Sequence, residues 1–199
     1  MAIVIGLTGS IATGKSTVSR MFEDFHIPVV DADKIAREVV YPGEKAYESI
    51  VEAFGESILL PDKELDRPAL GSIIFADELK RKLLNSIIHP AIRERIFQQK
   101  DAHIKAGERC VVLDIPLLFE GNYSKVVDRT IVVSVDESVQ LERLMLRNQL
   151  TEEEARERIE SQLSITEKTK LASAVIDNNG TIAESREQLE KILKSWNIC

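Results

Sequence analysis

The feature that most constrains how this chain folds is a glycine-rich segment close to its first residue. Residues 9–16 read GSIATGKS and match G-x-x-x-x-G-K-[ST], the pattern of a phosphate-binding loop. An apolar run at residues 3–7 precedes the segment, as a buried strand would. Apolar residues at helical spacing follow it: Val18, Met21, Phe22 and Phe25. Strand, loop and helix in this order predict a phosphate loop and disfavour a glycine-rich turn that binds nothing.

Each fixed position of this loop has a chemical reason. Gly9 and Gly14 allow the backbone to turn sharply and to approach an anion closely. The N–H groups of the loop and of the following helix are expected to point at a β-phosphate, where the helix dipole also favours negative charge. The Lys15 ammonium would reach the β- and γ-phosphates, and the Ser16 hydroxyl would bind Mg2+. The segment therefore predicts a site for a nucleoside triphosphate and Mg2+.

Length, charge and cysteine content narrow the class of protein. A chain of 199 residues is expected to form a single domain over residues 1–199, with room for an insertion. The net charge of -7 disfavours a broad nucleic-acid surface, so the expected ligands are small molecules, with no obligate protein partner. We find neither a secretory signal nor roughly 20 consecutive apolar residues, so the expected compartment is the cytoplasm. Cys110 and Cys199 show no metal-binding or disulfide spacing.

The rest of the sequence alternates short β-rich runs with long helical stretches. The runs are residues 3–7, 29–31, 111–115, 130–135 and 174–176. They are rich in Val, Ile and Leu without alternating polar residues, which predicts strands that are buried on both faces. The predicted fold is therefore of the α/β class, a P-loop protein with a parallel five-stranded sheet flanked by helices.

Two excursions interrupt this alternation. About 80 residues separate the second and third runs, far more than one crossover helix needs, which predicts a helical insertion at residues 34–107. In the insertion, Pro90 is expected to open a second helix. It follows an apolar stripe at helical spacing: Leu79, Leu83, Ile87 and Ile88. The charged residues 137–170, here called the lid segment, suit a mobile helical cover over a site.

Two helix starts are marked by capping boxes, in which a threonine and a glutamate three residues later bind each other's backbone N–H groups. Thr151 and Glu154 form such a pair in the lid segment, and Thr181 and Glu184 form another near the end of the chain. The second pair is followed by an expected packing face: Leu189, Ile192, Leu193 and Trp196.

Polar residues follow the predicted strands at the sheet edge where parallel α/β sheets bind ligands. Asp31 and Asp33 follow the second strand, Asp114 lies in the third, and Asn178 follows the fifth. Asp33 could accept the proton of an attacking hydroxyl, or it could cap the helix that follows. Asp114 could orient Mg2+ or its waters, or it could only belong to a turn at the strand end.

Basic side chains offer further candidates. Arg143 and Arg147 lie four residues apart in a predicted helix of the lid segment, so both face the same way. They could neutralise charge on a transferring phosphoryl group, or they could form a solvated face paired with acidic neighbours. His89 and Arg93 could hold the phosphate or ribose of an acceptor, although a histidine at the start of a helix is more often structural.

With these residues in view, the sequence resembles the dephospho-coenzyme A kinase family nearly from end to end. The resemblance rests on IGLTGSIATGKST, VVDADKIAREVV, LDRPALGSIIF, IIHPAIR, DIPLLFE, the lid run QLERLMLRNQLTEEEARERIESQ, and VIDNNGT. It implies a nucleoside-monophosphate-kinase-like core with an acceptor-binding insertion and a lid. It also implies that ATP phosphorylates the ribose 3′-hydroxyl of dephospho-CoA with Mg2+, giving CoA and ADP.

The resemblance further implies roles for individual residues. Asp33 would be the catalytic base, and Lys15 and Arg143 would be catalytic cations. The residues that would bind ATP are Gly9, Ser10, Ile11, Ala12, Thr13, Gly14, Lys15, Ser16, Thr17, Arg143, Arg147 and Asn178. Those that would bind the acceptor are Asp33, Arg67, His89, Arg93 and Asp114, and Ser16 would bind the metal.

The sequence departs from the family pattern at two turns. The phosphate loop has Ser10, Ala12 and Thr13 where the family commonly has Gly, Gly and Ser. Ala12 therefore tests whether its position needs a positive φ, which strains a residue other than glycine. In the lid segment RNQL replaces the usual RDGL, which places Asn148 and Gln149 at the turn.

Two other functions stay open on the sequence. A phosphate-loop kinase for another small alcohol or a nucleoside monophosphate would share the core and differ in the acceptor region. A nucleotide-dependent switch that binds a partner is disfavoured by missing resemblance to GTPases. The residues after Asp114 lack D-x-x-G, and N-K-x-D is not present.

Overall fold

A computed structural model describes residues 2–199, in which five strands alternate with helices. The strands are β1 (Ile3–Gly9), β2 (Val29–Asp31), β3 (Cys110–Asp114), β4 (Arg129–Ser134) and β5 (Ala174–Asp177). The α-helices are α1 (Lys15–Asp24), α2 (Ala32–Glu38), α3 (Lys45–Phe54), α4 (Arg67–Ala76), α5 (Glu78–Lys105), α6 (Glu137–Asn148), α7 (Glu152–Glu160), α8 (Ile165–Leu171) and α9 (Ile182–Ser195). Within residues 2–199, we find no helix with the length and apolar character needed to cross a membrane.

The strands form one sheet in the order β2-β3-β1-β4-β5. Parallel pairing joins β1 to β3 and to β4, with Leu7 opposite Asp114 and Gly9 opposite Val133. All of β3, and β1 after its first residue, are buried, as expected for strands with helices on both faces. The predicted α/β fold with five parallel strands is confirmed, although β3 and β4 each begin and end one residue earlier than predicted.

The strand order determines where a ligand is expected to bind. The chain leaves β1 toward one edge of the sheet and leaves β3, its neighbour, toward the other edge. A crevice opens at the carboxyl ends of strands where the direction of the connections reverses in this way. The phosphate loop follows Gly9 at the end of β1, and Asp114 ends β3, so both lie at this position.

One face of the sheet packs against α1 and α9. Phe22 of α1 and Leu189 and Leu193 of α9 are fully buried in a cluster with the strand residues Ile5 and Val133. Burial of one such side chain stabilises the fold by roughly 1.5–3 kcal/mol. The predicted packing faces of both helices are confirmed, and this core fixes β1 and α1, the two elements that flank the phosphate loop.

The two cysteines lie in opposite environments. Cys110 is buried in β3, and burial, with a smaller effect from the negative charge of Asp128, raises the pKa of its thiol to about 12. Cys199 is exposed. The thiolate is the reactive form, so we expect a disulfide reagent to titrate only Cys199 in the folded protein and both cysteines after unfolding in guanidinium. Rapid reaction of both thiols without denaturant would contradict the burial of Cys110.

The chain divides into two compact units. The first consists of the residues up to Val30 together with Lys100–Cys199, and the second is Asp31–Gln99. The second unit contains α2, α3, α4 and most of α5, and its bounds differ from those predicted for the insertion, 34–107. Its elements are helical, as expected.

One prediction for α5 is wrong. Pro90 does not open a second helix, because α5 runs unbroken from Glu78 to Lys105 with Pro90 inside it. A proline within a helix cannot donate to the carbonyl four residues earlier, which here is that of Ser86. Ser86 and Pro90 are both exposed, so water can bind this carbonyl and the helix continues.

The apolar stripe predicted for α5 does not form a buried face. Leu79 is 76% exposed and Leu83 is 44% exposed. The buried residues of α5 are Leu84 and Ile96 instead. Helical spacing identifies which side chains share a face, but burial depends on whether another element covers that face.

The predicted capping boxes are confirmed. Thr151 and Glu154 begin α7, and Thr181 and Glu184 begin α9, each with both reciprocal hydrogen bonds. Each glutamate accepts one hydrogen bond from the backbone N–H of its threonine and one from the hydroxyl. Both bonds lower the pKa of the glutamate carboxyl, and the backbone bond has the larger effect. These boxes supply partners for N–H groups that a helix start leaves unpaired.

Candidate active site

The phosphate loop joins β1 to α1 and folds tightly on itself. The Ser10 carbonyl accepts hydrogen bonds from the N–H of Thr13 at 3.3 Å and from its hydroxyl at 2.9 Å. Gly14, directly before the helix, has φ of 87°, and Ala12 has φ of 63°. Left-handed residues in such a loop let successive N–H groups converge into a concavity that binds anions. The loop therefore has the backbone geometry of a phosphate site.

Neither glycine of the loop has room for a side chain. A Cβ on Gly9 would lie 2.6 Å from the Thr13 hydroxyl oxygen and 2.9 Å from the Val133 carbonyl oxygen. A Cβ on Gly14 would lie 2.1 Å from the amide nitrogen of Asn178. The positive φ of Gly14 disfavours a side chain in addition. Both fixed glycines of the pattern thus have a steric reason in this chain.

Ala12 occupies a position that does need a positive φ. Its φ of 63° lies in the left-handed region, where glycine is the usual residue. A residue with a Cβ in this conformation stores strain of about 1–3 kcal/mol and keeps the conformation only where its surroundings impose it. The substitution in the family pattern is therefore accommodated by strain and leaves the turn in place.

Lys15 and Asp114 form an ion pair at the carboxyl ends of β1 and β3. Lys15 is the first residue of α1, and its Nζ donates to Oδ1 of Asp114, the last residue of β3. The Lys15 side chain is 15% exposed and that of Asp114 4% exposed. The pair places a positive charge next to the phosphate loop, where an anionic ligand could compete with the carboxylate for it.

Asn178 binds the loop, and Arg143 binds Asn178. The Asn178 amide nitrogen donates to the Thr13 carbonyl at 2.8 Å, and its amide oxygen accepts from the Ser185 hydroxyl at 2.8 Å. Arg143 in α6 donates from Nη2 to the Asn178 carbonyl at 3.1 Å. The position of a Cβ on Gly14 is 4.0 Å from Nη1 of Arg143. Asn178 therefore supports the loop, and Arg143 brings a guanidinium to it.

Two other candidates of the first unit, Arg147 and Ser16, are exposed. Arg147 is exposed near the end of α6, where its Nε donates to Oδ1 of Asn148 at 2.9 Å. Ser16 and Thr17 lie in the first turn of α1, with Ser16 exposed. The structure thus brings Lys15, Asp114 and Arg143 to the phosphate loop and leaves the role of Arg147 as a prediction.

The lid turn, like the phosphate loop, has a residue with a side chain in place of a family glycine. Gln149 directly follows α6 with φ of 53°, and it is exposed. We expect Gln149→Gly to raise the free energy of unfolding by about 1 kcal/mol, because glycine adopts this conformation without strain. Urea denaturation measures the change, with Gln149→Ala as the matched control. Alanine keeps a Cβ, so an equal gain in both variants would contradict the explanation by strain.

Asp31 caps α2, so the alternative interpretation of Asp33 as the cap is wrong. The Asp31 carboxylate accepts hydrogen bonds from the N–H groups of Asp33 and Lys34, at 2.8 Å and 3.0 Å. Asp31 comes directly before the first helical residue, whereas Asp33 lies within the first turn. The Asp33 side chain is exposed there. Its predicted role as a base stays a prediction.

The remaining acceptor candidates also belong to the second unit. Arg67 is the first residue of α4 and is exposed beside the Asp66 cap. His89 and Arg93 lie one turn apart on α5 and are exposed. The Arg93 guanidinium stacks over the Phe97 ring, 5.3 Å from its centre. The placement of His89 and Arg93 on one helix is compatible with a shared ligand, and their roles stay predictions.

Sequence reasoning missed the glutamines that bind the phosphate loop. Gln140 of α6 and Gln162, which follows α7, both form hydrogen bonds to the backbone of Ile11. Gln140 is 1% exposed, although it lies in a strongly charged segment. A polar residue four positions before the buried Leu144 was the available signal, since both lie on the same face of α6.

Known proteins of one family match this chain over nearly its whole length. The model of the dephospho-CoA kinase family matches residues 3–184. A dephospho-CoA kinase of Oceanobacillus iheyensis is 57% identical over 198 residues, covering 100% of each chain, and one of Bacillus cereus is 59% identical over 198 residues, covering 100% of this chain and 99% of that one. The solved dephospho-CoA kinase from Campylobacter jejuni has a TM-score of 0.76 and 31% identity, and 98% of each chain is covered. The similarity thus includes the phosphate loop, the second unit and the lid segment.

Proposed function

The chain belongs to the dephospho-CoA kinase family, which phosphorylates dephospho-CoA with ATP in the final step of coenzyme A synthesis, and we propose that the hydroxyl phosphorylated here is the ribose 3′-hydroxyl. The products are then CoA and ADP. The observation that carries phosphoryl transfer is the arrangement of Lys15, Asp114 and Arg143 around a folded phosphate loop, and the choice of acceptor rests on membership of the family. This arrangement supplies the donors and positive charges that phosphoryl transfer requires.

The phosphate loop holds the ATP phosphates. Its N–H groups and those of the first turn of α1 bind the β-phosphate, and the positive end of the helix dipole favours the charge there. Lys15 exchanges its bond to Asp114 for bonds to the β- and γ-phosphates, which keeps its ammonium satisfied before and after ATP binds. Arg143 adds a second positive charge beside Gly14, where charge develops during transfer.

Mg2+ fits the oxygen groups at this end of the site. The ion prefers oxygen ligands, and the Ser16 hydroxyl and the Asp114 carboxylate offer them. Ser16 would hold it directly together with the ATP phosphates, and Asp114 directly or through water. When bound, Mg2+ neutralises negative charge on the phosphates.

The second unit supplies the acceptor side of the reaction. Asp33 accepts the proton of the 3′-hydroxyl as its oxygen attacks the γ-phosphorus, a role that suits an exposed carboxylate not used as a helix cap. Arg67, His89 and Arg93 bind dephospho-CoA, whose phosphate oxygens accept hydrogen bonds from basic side chains. Residues 34–107 are proposed to form this acceptor-binding region, within a single kinase chain.

Closure of the lid segment keeps water from the γ-phosphate until the acceptor has bound. Arg147 of α6 comes from this segment and would contact the phosphates on closure. Slow ATP hydrolysis without acceptor is the expected consequence. The proposed setting is the cytoplasm, with ATP and dephospho-CoA as the partners.

The acceptor is tested by ADP release from Mg-ATP with purified protein. Dephospho-CoA, AMP, CMP, adenosine and shikimate are offered separately. We expect rapid turnover with dephospho-CoA alone, within kinase rates of about 1 to 100 per second. Turnover with another acceptor would support a kinase function and reject dephospho-CoA as its substrate. Binding of ATP without turnover on any of the five acceptors would favour a nucleotide-dependent switch.

A further inference from the structure

Two glutamines outside the phosphate loop bind the same residue of that loop. The Ile11 N–H donates to Oε1 of Gln162 at 3.0 Å, and the Ile11 carbonyl accepts from Nε2 of Gln140 at 2.8 Å. A glutamine amide carries one acceptor and one donor group, and each glutamine presents the group that matches its partner. Both polar groups of the Ile11 backbone are thus bound by residues of the lid segment.

The residue next to Ile11 explains why this contact matters. Ala12 has a φ of 63°, a conformation that a residue with a Cβ leaves unless its surroundings hold it. We infer that Gln140 and Gln162 are positioning residues, a glutamine clamp that keeps Ala12 left-handed and so keeps the N–H groups of the following loop residues convergent. This inference rests on the proposed function, because those N–H groups act by binding ATP phosphates.

The clamp is itself held in place. Gln140 is 1% exposed within α6, so its side chain has little freedom. Directly after Gln162, the N–H of Leu163 donates to Oε1 of Glu120 at 3.1 Å. Glu120 pairs at 2.9 Å with Lys168, which is completely buried and also donates to the Pro116 carbonyl at 3.2 Å. A buried lysine bound in this way fixes the connection between α7 and α8, because breaking its contacts leaves a buried charge unsatisfied.

These contacts also limit which part of the lid segment can move. Gln140 lies near its start, and Gln162 and Lys168 lie near its end. All three bind backbone groups outside the segment, those of Ile11 and Pro116. If the lid segment closes as proposed above, the closure is therefore confined to residues between Gln140 and Gln162. The clamp thus ties the phosphate loop to both ends of the lid segment.

The test replaces each glutamine by methionine, which has similar length and lacks the amide. The dissociation constant of Mg-ATP is measured by calorimetry, and KM for dephospho-CoA and the unfolding temperature are measured beside it. We expect Gln162→Met and Gln140→Met to weaken Mg-ATP binding about five- to tenfold, as loss of one positioned hydrogen bond would. KM for dephospho-CoA and the unfolding temperature are expected to stay near wild type for Gln162→Met. This partly exposed position carries the test if the buried variant does not fold.

Gln98→Met is the matched control. Gln98 is exposed on α5, and its amide donates to Glu94 at 3.0 Å. We expect this variant to bind Mg-ATP like the wild type. If Gln162→Met binds Mg-ATP within twofold of the wild-type affinity, the inference of a clamp is overturned. A loss of Mg-ATP affinity matched by an equal rise in KM for dephospho-CoA would overturn it as well. If wild-type protein binds Mg-ATP but does not phosphorylate dephospho-CoA, the proposed function fails, while the ratios of ATP affinity still decide the clamp.

Discussion

Replacing Lys15 by methionine is expected to lower kcat/KM for ATP at least about a hundredfold, the loss typical when one preorganised charge is removed from a reacting group. Lys15 begins α1 at the end of the phosphate loop and is already in place through its bond to Asp114. The β- and γ-phosphates are expected to bind its ammonium. The measurement is steady-state ADP release with dephospho-CoA.

Lys15→Arg separates this catalytic effect from an effect on folding. Asp114 is 3% exposed, and loss of one partner of a buried ion pair destabilises a protein by about 3–5 kcal/mol. Arginine keeps the positive charge beside Asp114, so Lys15→Arg should unfold closer to the wild-type temperature than Lys15→Met. Turnover should still stay far below wild type, because the planar guanidinium does not replace a compact ammonium. Wild-type turnover of Lys15→Arg would contradict a specific role for the lysine.

Asp33→Asn is expected to reduce kcat by about a hundredfold to ten-thousandfold, the range for removal of a general base. Asparagine has nearly the same shape but cannot take up the proton of the 3′-hydroxyl. The side chain is exposed, so the unfolding temperature and the dissociation constant of Mg-ATP should stay unchanged. Single-turnover kinetics with saturating dephospho-CoA measures the chemical step directly.

Asp31→Asn is the control for this change. It makes the same substitution two residues earlier, at the cap of α2, where the side-chain oxygen accepts from two N–H groups. Asparagine caps a helix about as well as aspartate, so activity and stability should both be retained. If Asp33→Asn also kept near-normal turnover, the assignment of Asp33 as the base would be abandoned.

The parts of the fold that depend on residues close together in the sequence could be predicted. The phosphate loop, its flanking strand and helix, and the capping boxes are each specified within a few residues. Buried strands could be predicted because helices on both faces require continuous apolar runs. The positive φ of Ala12 follows from loop geometry, and the sequence raised it as a question that the structure answers.

Helix α5 shows where predictions from local sequence patterns fail. Pro90 predicted a helix start. Ser86 is exposed, however, so water can bind its carbonyl and the helix continues past Pro90. Leu79 and Leu83 have the spacing of a buried face, and no sequence pattern within α5 tells whether another element covers them.

Contacts between distant parts of the chain could not be read from the sequence. Gln140 is 129 residues from Ile11, and Asn178 is 165 residues from Thr13, yet both bind the phosphate loop. Their positions depend on the sheet order, which places the ends of β1, β4 and β5 side by side. The family resemblance implied that Asn178 belongs to the ATP site, and the structure adds how its amide supports the loop. Gln140 and Gln162 had no role implied by either route.

The position of the new phosphate tests the central claim most directly. The protein is incubated with Mg-ATP and either dephospho-CoA or its 3′-deoxy analogue, and the products are resolved by phosphorus NMR. The account predicts one product from dephospho-CoA, phosphorylated on the ribose 3′-oxygen and identical to CoA, and none from the analogue. A phosphate on the ribose 2′-oxygen or on the pantetheine hydroxyl, or any product from the 3′-deoxy analogue, would contradict it.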